Sequence, residues 1–298
     1  MVQQPDVAVV VDSSSCLPPD LLRKWNITVV PHELIIGNRS FRDGVDIQPD
    51  EFYRLLPQGN LSTLTTAAPQ PSSFLDAFLT AGQQAPNVLC LTLSTAFSAT
   101  YRSACAAVEL ANGRLTTTRV QVMDSQAAAG GSGLIALAAA RRAAMGHSMD
   151  QVMARVKQLV PRVNLLAFLD TLGYLRKSGR VRKIDAWAGA LLSIKPLTEL
   201  RLGEARMLAR PRSRIKATER LLDLMRQRVG RMPIVANVME ADTTQEAQAL
   251  SQRVRSEFNC QELINSQFTP VMGLHTGPGL LGVAFYVNED DGEQPGGP

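Results

Sequence analysis

The sequence predicts an α/β protein made of two α/β domains, the first with a mostly parallel sheet flanked by helices. Three observations predict this class. Short β-branched runs alternate with helical segments through the first half, as in a parallel sheet covered by helices. The second half repeats the alternation and adds a hairpin. The length of 298 residues corresponds to about two domains of roughly 150 residues each.

The first predicted domain spans residues 1–160. Its apolar runs predict strands, and its segments with helix-start or helix-stop residues predict helices, such as the one that begins after Pro49 and the one that ends at Asn112-Gly113. The predicted strands are 7–11, 27–36, 88–93 and 120–123, and the predicted helices are 18–25, one starting at 50–51, 72–79, 97–111, an Ala-rich helix ending at 145, and 148–160.

The second predicted domain spans residues 161–287, after a boundary near Pro161. Strands at 196–200 and 205–209 flank a four-residue turn and predict a hairpin. The remaining predicted strands are 165–168, 234–239, 262–266 and 281–287, with amphipathic helices at 215–229 and 244–258. The acidic, Gly- and Pro-rich residues 288–298 predict a disordered tail.

Three strands of the first domain end in polar residues: Asp12-Ser13-Ser14, Ser94-Thr95 and Asp124-Ser125. Ligands of parallel sheets bind at the carboxyl ends of strands, so this edge is a candidate site. The alternative for Asp12-Ser13-Ser14 is an ordinary strand-to-helix turn, because Asp and Ser also favour N-cap positions.

The segment Gly273–Gly279 surrounds one of three histidines, His275, with three glycines and Pro278. This composition predicts a special backbone that places the imidazole at a defined position. Two interpretations stay open: a functional histidine, and a turn histidine whose hydrogen bonds are satisfied locally.

Composition excludes several classes. Hydrophobic residues make up 45% and charged residues 19%, which excludes global disorder, and 5% aromatics argue against a stacking platform for nucleic acid. Four scattered cysteines form no disulfide framework. We find neither a signal sequence nor an apolar run near the roughly 18 residues of a membrane span. We therefore expect a soluble cytoplasmic protein.

The basic residues are concentrated between residues 176 and 216. This segment holds twelve Lys and Arg against three Asp and Glu, whereas the rest of the chain has an excess of acidic residues. Such a surface attracts an anionic partner: nucleic acid, a phospholipid headgroup or an acidic protein. Its two clusters are Arg176, Lys177, Arg180, Arg182 and Lys183, and Arg206, Arg210, Arg212, Arg214 and Lys216.

Other catalytic patterns are absent from the sequence. Residues 130–133 lack the second glycine of a nucleophile elbow, and no phosphate-binding or dinucleotide-binding glycine motif occurs. Ser98, His275 and Asp124 supply the residue types of a triad without a supporting motif, and His32, His147 and His275 lack metal-ligand spacing. We expect no cofactor and no metal.

The motifs taken together resemble the DegV family of bacterial fatty-acid-binding proteins, which act as the lipid-binding subunit of a fatty acid kinase. The resemblance runs from Val7 to about Phe285. The matching segments are VDSSS (11–15), TAAPQP (66–71), LSTAFSATYRSA (93–104), VMDS (122–125), GGSG (130–133), LGYLRKSGR (172–180), IKP (194–196) and GLHTGPG (273–279).

The resemblance implies a cleft between the two domains that buries a long-chain fatty acid. Thr66, Ser98 and His275 match positions that hold its carboxylate, and Arg212 matches a basic stretch that docks the ATP-binding kinase subunit. The protein would then present the acid for phosphorylation to acyl phosphate, as a lipid-binding subunit of phospholipid metabolism without its own catalytic site. The supporting residues are Ser13, Ser14, Asp124, Ser125, Arg180 and Gly277, and the docking residues are Arg210, Arg212 and Arg214.

Two other functions stay open at this point. Ser98 could be the nucleophile of a hydrolase or transferase. The basic 176–216 surface could instead bind an anionic membrane or nucleic acid. We expect no nucleic-acid partner, because aromatic residues are few and no recognition motif is present, and we expect at most a transient membrane contact.

Overall fold

A computed structural model describes residues 5–56, 64–111, 113–181, 184 and 194–289. Its strands, in chain order, are β1 (Val7–Asp12), β2 (Thr28–Val30), β3 (Glu33–Ile36), β4 (Arg39–Arg42), β5 (Leu64–Ala67), β6 (Asn87–Thr92), β7 (Arg119–Asp124), β8 (Asn164–Phe168), β9 (Leu197–Arg201), β10 (Glu204–Ala209), β11 (Ile234–Glu240), β12 (Cys260–Gln267) and β13 (Leu281–Val287).

The helices are, in chain order, α1 (Pro19–Lys24), α2 (Pro49–Leu55), α3 (Pro71–Gly82), α4 (Thr100–Leu110), α5 (Ala129–Ala144), α6 (Met149–Leu159), α7 (Gly173–Ser178), α8 (Arg214–Val229), α9 (Thr244–Glu257) and α10 (Pro270–Thr276). A short 3-10 turn, Ser13–Ser15, follows β1.

The first sheet is parallel, with the strand order β2-β1-β6-β7. Every residue of β1 is buried, as expected for a strand with helices on both faces. The carboxyl ends of β1, β6 and β7 share one edge, which brings Asp12, Ser94 and Asp124 to the same side of the domain. The predicted α/β class with a parallel first sheet is confirmed.

The single strand predicted over 27–36 is wrong. The run divides at Pro31-His32 into β2, which joins the parallel sheet, and β3, which joins a small antiparallel sheet of order β4-β3-β5. Proline has no backbone N–H for a ladder and ends the pairing there. The division leaves His32 between two sheets, beside the edge that carries the strand-end polar residues.

The second sheet has the order β10-β9-β8-β13-β11-β12. Its strands pair antiparallel except for β11 and β12, which are parallel. The hairpin of β9 and β10 forms as predicted. Residues alternate between two cores: Leu165 and Ala167 face the first sheet, whereas Leu166 and Phe168 pack under α8 and α9.

Helix α5 lies between the two sheets and contacts both β1 and β11. It is buried almost all round, because its residues are nearly all Ala, Gly, Leu and Ile. A Cβ at Gly133 would lie 2.7 Å from the backbone oxygen of Ser15, so only glycine permits this approach. The small residues of 130–133 thus serve helix packing.

The chain continues in regular contact with the second sheet as far as Glu289. The Asn288 side chain is buried and donates to Gln261, its N–H donates to Pro233, and Glu289 pairs with Arg162. The predicted tail therefore starts too early at Asn288. Its remainder, 290–298, lies outside the described residues. None of the helices in the described ranges is long and apolar enough to cross a membrane.

Candidate functional site

A cavity of about 310 Å³ lies between the first and second sheets. This volume is at the lower end of the roughly 300–1,000 Å³ typical of small-molecule sites. Side chains from both halves of the chain line it, and most are aliphatic. The apolar wall includes Leu93, Ala128, Ala129, Leu165, Ala167, Leu169, Leu200, Val271 and Leu280, and the polar side chains include His32, Thr66, Ser98, Arg180 and His275.

Thr66 and His275 meet in this wall although they are 209 residues apart, with the hydroxyl oxygen 2.9 Å from Nε2 of the ring. Strand β5 places Thr66 opposite Leu34 of β3. Helix α10 ends at Thr276 and carries His275 in its last turn against β3 and β5. The structure therefore brings these two predicted site residues into direct contact.

Ser98 lies just before α4, which begins at Thr100 and not at Phe97 as predicted. Its hydroxyl accepts from the backbone N–H of Thr100 at 3.3 Å and lies 2.7 Å from the Thr100 hydroxyl. Ser98 thus occupies the N-terminal end of an eleven-residue helix, where the partial positive charge of the helix favours an anion.

A buried group of polar side chains lies behind Ser98. His32 Nε2 is 3.1 Å from the Thr100 hydroxyl, and His32 Nδ1 is 3.3 Å from the Ser13 hydroxyl. Ser13 donates to Asp43 at 2.6 Å and accepts from the His32 backbone N–H at 3.1 Å. The predicted supporting residue Ser13 therefore reaches the cavity only through His32.

Ser14 and Asp12 complete this group at the end of β1. The Ser14 hydroxyl and backbone N–H both donate to Asp12, and the second Asp12 oxygen accepts from the Leu93 N–H at 2.7 Å. These bonds join the ends of β1 and β6. The Asp12-Ser13-Ser14 segment is thus both a turn and a support for His32, and Ser14 does not itself line the cavity.

Burial, together with the nearby Arg180 cation and His32 ring, lowers the pKa of His275 to about 4. The imidazole is therefore neutral at physiological pH. Arg180 lines the same cavity, and its guanidinium donates to the Ser178 carbonyl at 2.6 Å. The polar wall thus combines the Arg180 cation and neutral hydrogen-bonding groups, which suit an anionic head, with Glu199, whose carboxylate is paired with Arg228.

Gly277 ends the helix that carries His275. Its φ is +79°, in the left-handed region that glycine adopts readily, and a Cβ there would overlap the ring of Tyr174. Glycine is thus required for α10 to stop at this point against α7.

Asp124 and Ser125, predicted as supporting residues, hold the loops beside the cavity. Asp124 accepts from Thr95 and from the Gln126 N–H, and the buried Ser125 hydroxyl bonds within the same loop. They order the loops that follow β6 and β7. Neither residue lines the cavity.

The three predicted docking arginines differ in their surroundings. Arg214 is half-buried and is held by Asp170, by Glu246 and by the Gly279 carbonyl, to which it donates at 2.7 Å. Arg210 and Arg212 are exposed, and neither has an ion-pair partner among the residues described in the structure. Through Arg214, this segment is attached to the loop that follows His275. Of the first basic cluster, Arg182 and Lys183 lie outside the described residues.

Thr100 and Asp43 were missed by the sequence analysis, which also considered His32 only as a metal ligand. Pro31 within an apolar run was a usable signal for the break beside His32. For Asp43 and Thr100 no local signal exists, because their contacts join residues 30 and 68 positions apart.

Ser98 contacts a hydroxyl and not an imidazole, and His275 contacts Thr66. Asp124 is engaged by Thr95 and Gln126. A catalytic triad requires hydrogen bonds from the nucleophile to an imidazole and from that imidazole to a carboxylate. The three residue types are present, but these bonds between them are not. The hydrolase alternative gains no support from this geometry.

A family model described as "Uncharacterised protein, DegV family" matches residues 6–288. The chain belongs to the DegV family. A DegV domain-containing protein of Caldanaerobacter subterraneus subsp. tengcongensis is 31% identical to this DegV protein over 280 residues, covering 94% of this chain and 98% of the relative.

Solved DegV structures share the fold of this DegV protein. One from Thermus thermophilus, described as a fatty-acid-binding DegV family protein, is 31% identical with a TM-score of 0.87, covering 95% of this chain and all of the other. A stearic-acid-binding protein from Eubacterium ventriosum is 25% identical with a TM-score of 0.86, covering 94% and 98% of the two chains.

Proposed function

We propose that this DegV protein binds a long-chain fatty acid in the cavity between its sheets, with the carboxylate against Thr66 and Ser98. The observation that carries the proposal is the cavity itself. Its wall is aliphatic over most of its surface, and its polar side chains include two hydroxyls with Arg180 and His275. The ligands described for the Thermus and Eubacterium relatives agree with this interpretation.

Burial of the acyl chain supplies the affinity. Each buried methylene contributes about 0.8 kcal/mol, so fourteen of them contribute roughly 11 kcal/mol before the costs of ordering and association. Residues such as Ala128, Ala129 and Ala167 leave room for a chain because their side chains are small.

The carboxylate requires hydrogen-bond donors, because an unpaired charge in a desolvated site is strongly unfavourable. Thr66 and Ser98 supply neutral donors, and the N-terminal end of α4 adds a favourable partial charge. Arg180 lies close enough to lower the pKa of His275 and hence to stabilise an anion. Neutral hydroxyls hold a carboxylate while leaving it nucleophilic, since they do not form an ion pair with the attacking oxygen.

We further propose that the bound acid is presented to an ATP-binding kinase subunit. A carboxylate oxygen attacks the γ-phosphorus of ATP, the bond to the β-phosphate oxygen breaks, and acyl phosphate and ADP result. Exposed Arg210 and Arg212 lie next to Arg214, which bonds to the loop after His275. A partner with an acidic surface would thus dock beside the polar wall of the cavity. A transient contact of these arginines with an anionic membrane belongs to the same proposal.

Native mass spectrometry of the purified protein, followed by organic extraction, tests lipid binding directly. We expect a mass increment equal to one long-chain fatty acid, and the same acid in the extract. Protein that neither carries nor binds such an acid would overturn the proposal. Adding the kinase subunit and ATP to loaded protein tests the second step, whose product is acyl phosphate.

A further inference from the structure

The buried side chains behind Ser98 form one continuous series of hydrogen bonds. It runs from the Ser98 hydroxyl to Thr100 at 2.7 Å, from Thr100 to His32 Nε2 at 3.1 Å, and from His32 Nδ1 to Ser13 at 3.3 Å. It ends where Ser13 meets Asp43 at 2.6 Å. Thr100 is fully buried and His32 is 3% exposed, so water does not compete for these bonds.

In the state in which Asp43 is ionised, this end fixes the direction of the bonds. An ionised Asp43 only accepts, so the single hydroxyl proton of Ser13 points to Asp43. The Ser13 oxygen then accepts a hydrogen bond from His32 Nδ1. It also accepts one from the His32 backbone N–H at 3.1 Å. Nδ1 therefore carries a proton. In a neutral imidazole Nε2 is then without a proton.

This direction is unfavourable for binding an anion. A bare Nε2 accepts the Thr100 proton, and Thr100 in turn accepts the Ser98 proton. Ser98 then presents only a lone pair to the cavity, and two acceptors repel each other. Adding one proton reverses the series: Nε2–H donates to Thr100, Thr100 donates to Ser98, and Ser98 donates into the cavity.

Thr66 does not have this constraint. His275 is neutral, and a neutral ring with its proton on Nε2 donates to Thr66, which leaves the Thr66 proton for the ligand. His275 thus contacts the Thr66 hydroxyl directly, and His32 contacts the Ser98 hydroxyl through Thr100. Only the His32 group needs an added proton for its hydroxyl to donate to the ligand.

Two carboxylates lie close to His32. Asp12 Oδ1 lies 3.7 Å from His32 Nδ1, and Asp43 is one hydroxyl away. Burial raises the pKa of Asp43, so this carboxyl accepts a proton more readily than an exposed one. Of the other neighbours, His275 is neutral, burial keeps the Cys16 thiol protonated with a pKa of about 12, and the buried Tyr53 hydroxyl donates to Phe268.

We propose that His32 is a positioning residue for the ligand carboxylate, and that binding of an ionised carboxylate takes up one proton into the Asp43–Ser13–His32 group. The proposal rests on the proposed function, since it concerns how the same cavity holds the acid. The ligand stays ionised and therefore nucleophilic, while the protein carries the compensating proton.

Two substitutions at His32 separate the two ring nitrogens. His32→Gln places an amide N–H₂ near Nε2, which donates to Thr100 at every pH. His32→Asn places its amide near Nδ1 and leaves Thr100 without that donor. Thr100→Val removes the hydroxyl with little change of shape, so it interrupts the series even if the His32 variants fail to fold.

The experiment is calorimetric titration with decanoate at pH 7.0 and 8.0, in phosphate and in Tris buffer, whose different ionisation enthalpies reveal proton uptake. We expect about one proton per bound decanoate in the wild type, with Kd rising up to about tenfold per pH unit. We expect no uptake and no pH dependence in His32→Gln. Kd should increase about ten- to hundredfold in His32→Asn and Thr100→Val.

The control is His275→Gln, in which proton uptake should persist because the His32 group is intact. The carboxyl ¹³C chemical shift of bound [1-¹³C]decanoate should be that of the ionised form. Binding without proton uptake, uptake that persists in His32→Gln, or a protonated ligand carboxyl would each overturn the proposal. Wild-type protein that binds no fatty acid at either pH would overturn the proposed function as well.

Discussion

Nε2 of His275 lies 2.9 Å from the hydroxyl oxygen of Thr66, so the candidate site is closed by a contact between the last helix and an early strand. The other hydroxyl of the site belongs to Ser98, in the loop before α4. The site thus depends on the packing of both halves of the chain. Its parts can be tested one at a time, because each hydroxyl has a different support.

Removing either site hydroxyl should weaken fatty acid binding. Thr66→Val and Ser98→Ala each delete a donor to the carboxylate, which costs about 1–3 kcal/mol, or roughly 5- to 150-fold in Kd. Displacement of a fluorescent fatty acid measures the change. Thr80→Val and Ser256→Ala are matched controls, since these hydroxyls bond only within exposed helices. Wild-type affinity in both site variants would exclude Thr66 and Ser98 from the site.

Gly277→Ala should reduce both stability and ligand affinity. The new Cβ meets the Tyr174 ring at a φ of +79° and displaces the end of α10, including His275. Gly146→Ala is a close control, because Gly146 has a φ of +80° with nothing within 4 Å of an added Cβ. We expect Gly146→Ala to lose about 1–2 kcal/mol of unfolding free energy and no affinity. Equal losses in the two variants would show that Tyr174 does not restrict this position.

His275 should make the protein more stable at pH 7 than at pH 5. Its folded pKa of about 4 lies below the ordinary 6.5, so the unfolded chain binds more protons between these values. This stabilisation is complete above pH 6.5 and is lost as the pH falls towards 4. Between pH 5 and 7 the change is on the order of 1–2 kcal/mol.

Urea denaturation at the two pH values measures that change. The difference in unfolding free energy between pH 5 and pH 7 should shrink in His275→Gln, whereas Thr66→Val, which keeps the imidazole, should retain most of it. An unchanged difference in His275→Gln would mean that this ring titrates normally in the folded protein.

Charge reversal at Arg212 should impair phosphorylation but not lipid binding. Arg212→Glu places a negative charge on the proposed docking surface and, because the side chain is exposed, leaves the cavity intact. We expect at least a tenfold fall in acyl phosphate formation with the kinase subunit and ATP. Arg114→Glu, at an exposed position in the loop between α4 and β7, is the control. An equal fall in fatty acid affinity would contradict the docking assignment.

Local patterns predicted most of the fold. The apolar runs of β1, β6 and β7, the capping residue Ser148 and the β9–β10 turn all depend on neighbours in sequence, and they are present in the structure. The prediction of one strand over 27–36 was wrong because it gave the apolar character of the run more weight than the break at Pro31. The helix predicted from Phe97 begins at Thr100 because Ser98 bonds back to the Thr100 N–H instead of entering the helix.

The candidate site was predictable only in part. Thr66, Ser98 and His275 were identified by resemblance, whereas composition and spacing alone left two interpretations open for His275 and gave no binding role to Thr66 or Ser98. Asp43 and Thr100 could not be found, since their significance comes from the position of His32 between two sheets. For Arg214, the charge predicted a role on the docking surface, whereas ion pairs with Asp170 and Glu246 leave its side chain only 20% exposed.

The position of α10 has a consequence for synthesis. The first turn of α10 and the residues before it contact the N-terminal part of the chain. The Val271 N–H donates to Asp43, and the Phe268 carbonyl accepts from the Tyr53 hydroxyl. Contacts over more than 200 residues form late in folding, because long loops must close first. A growing chain on the ribosome therefore lacks one wall of the cavity until residues 268–276 have emerged. The cavity is therefore not closed before the second sheet is nearly complete.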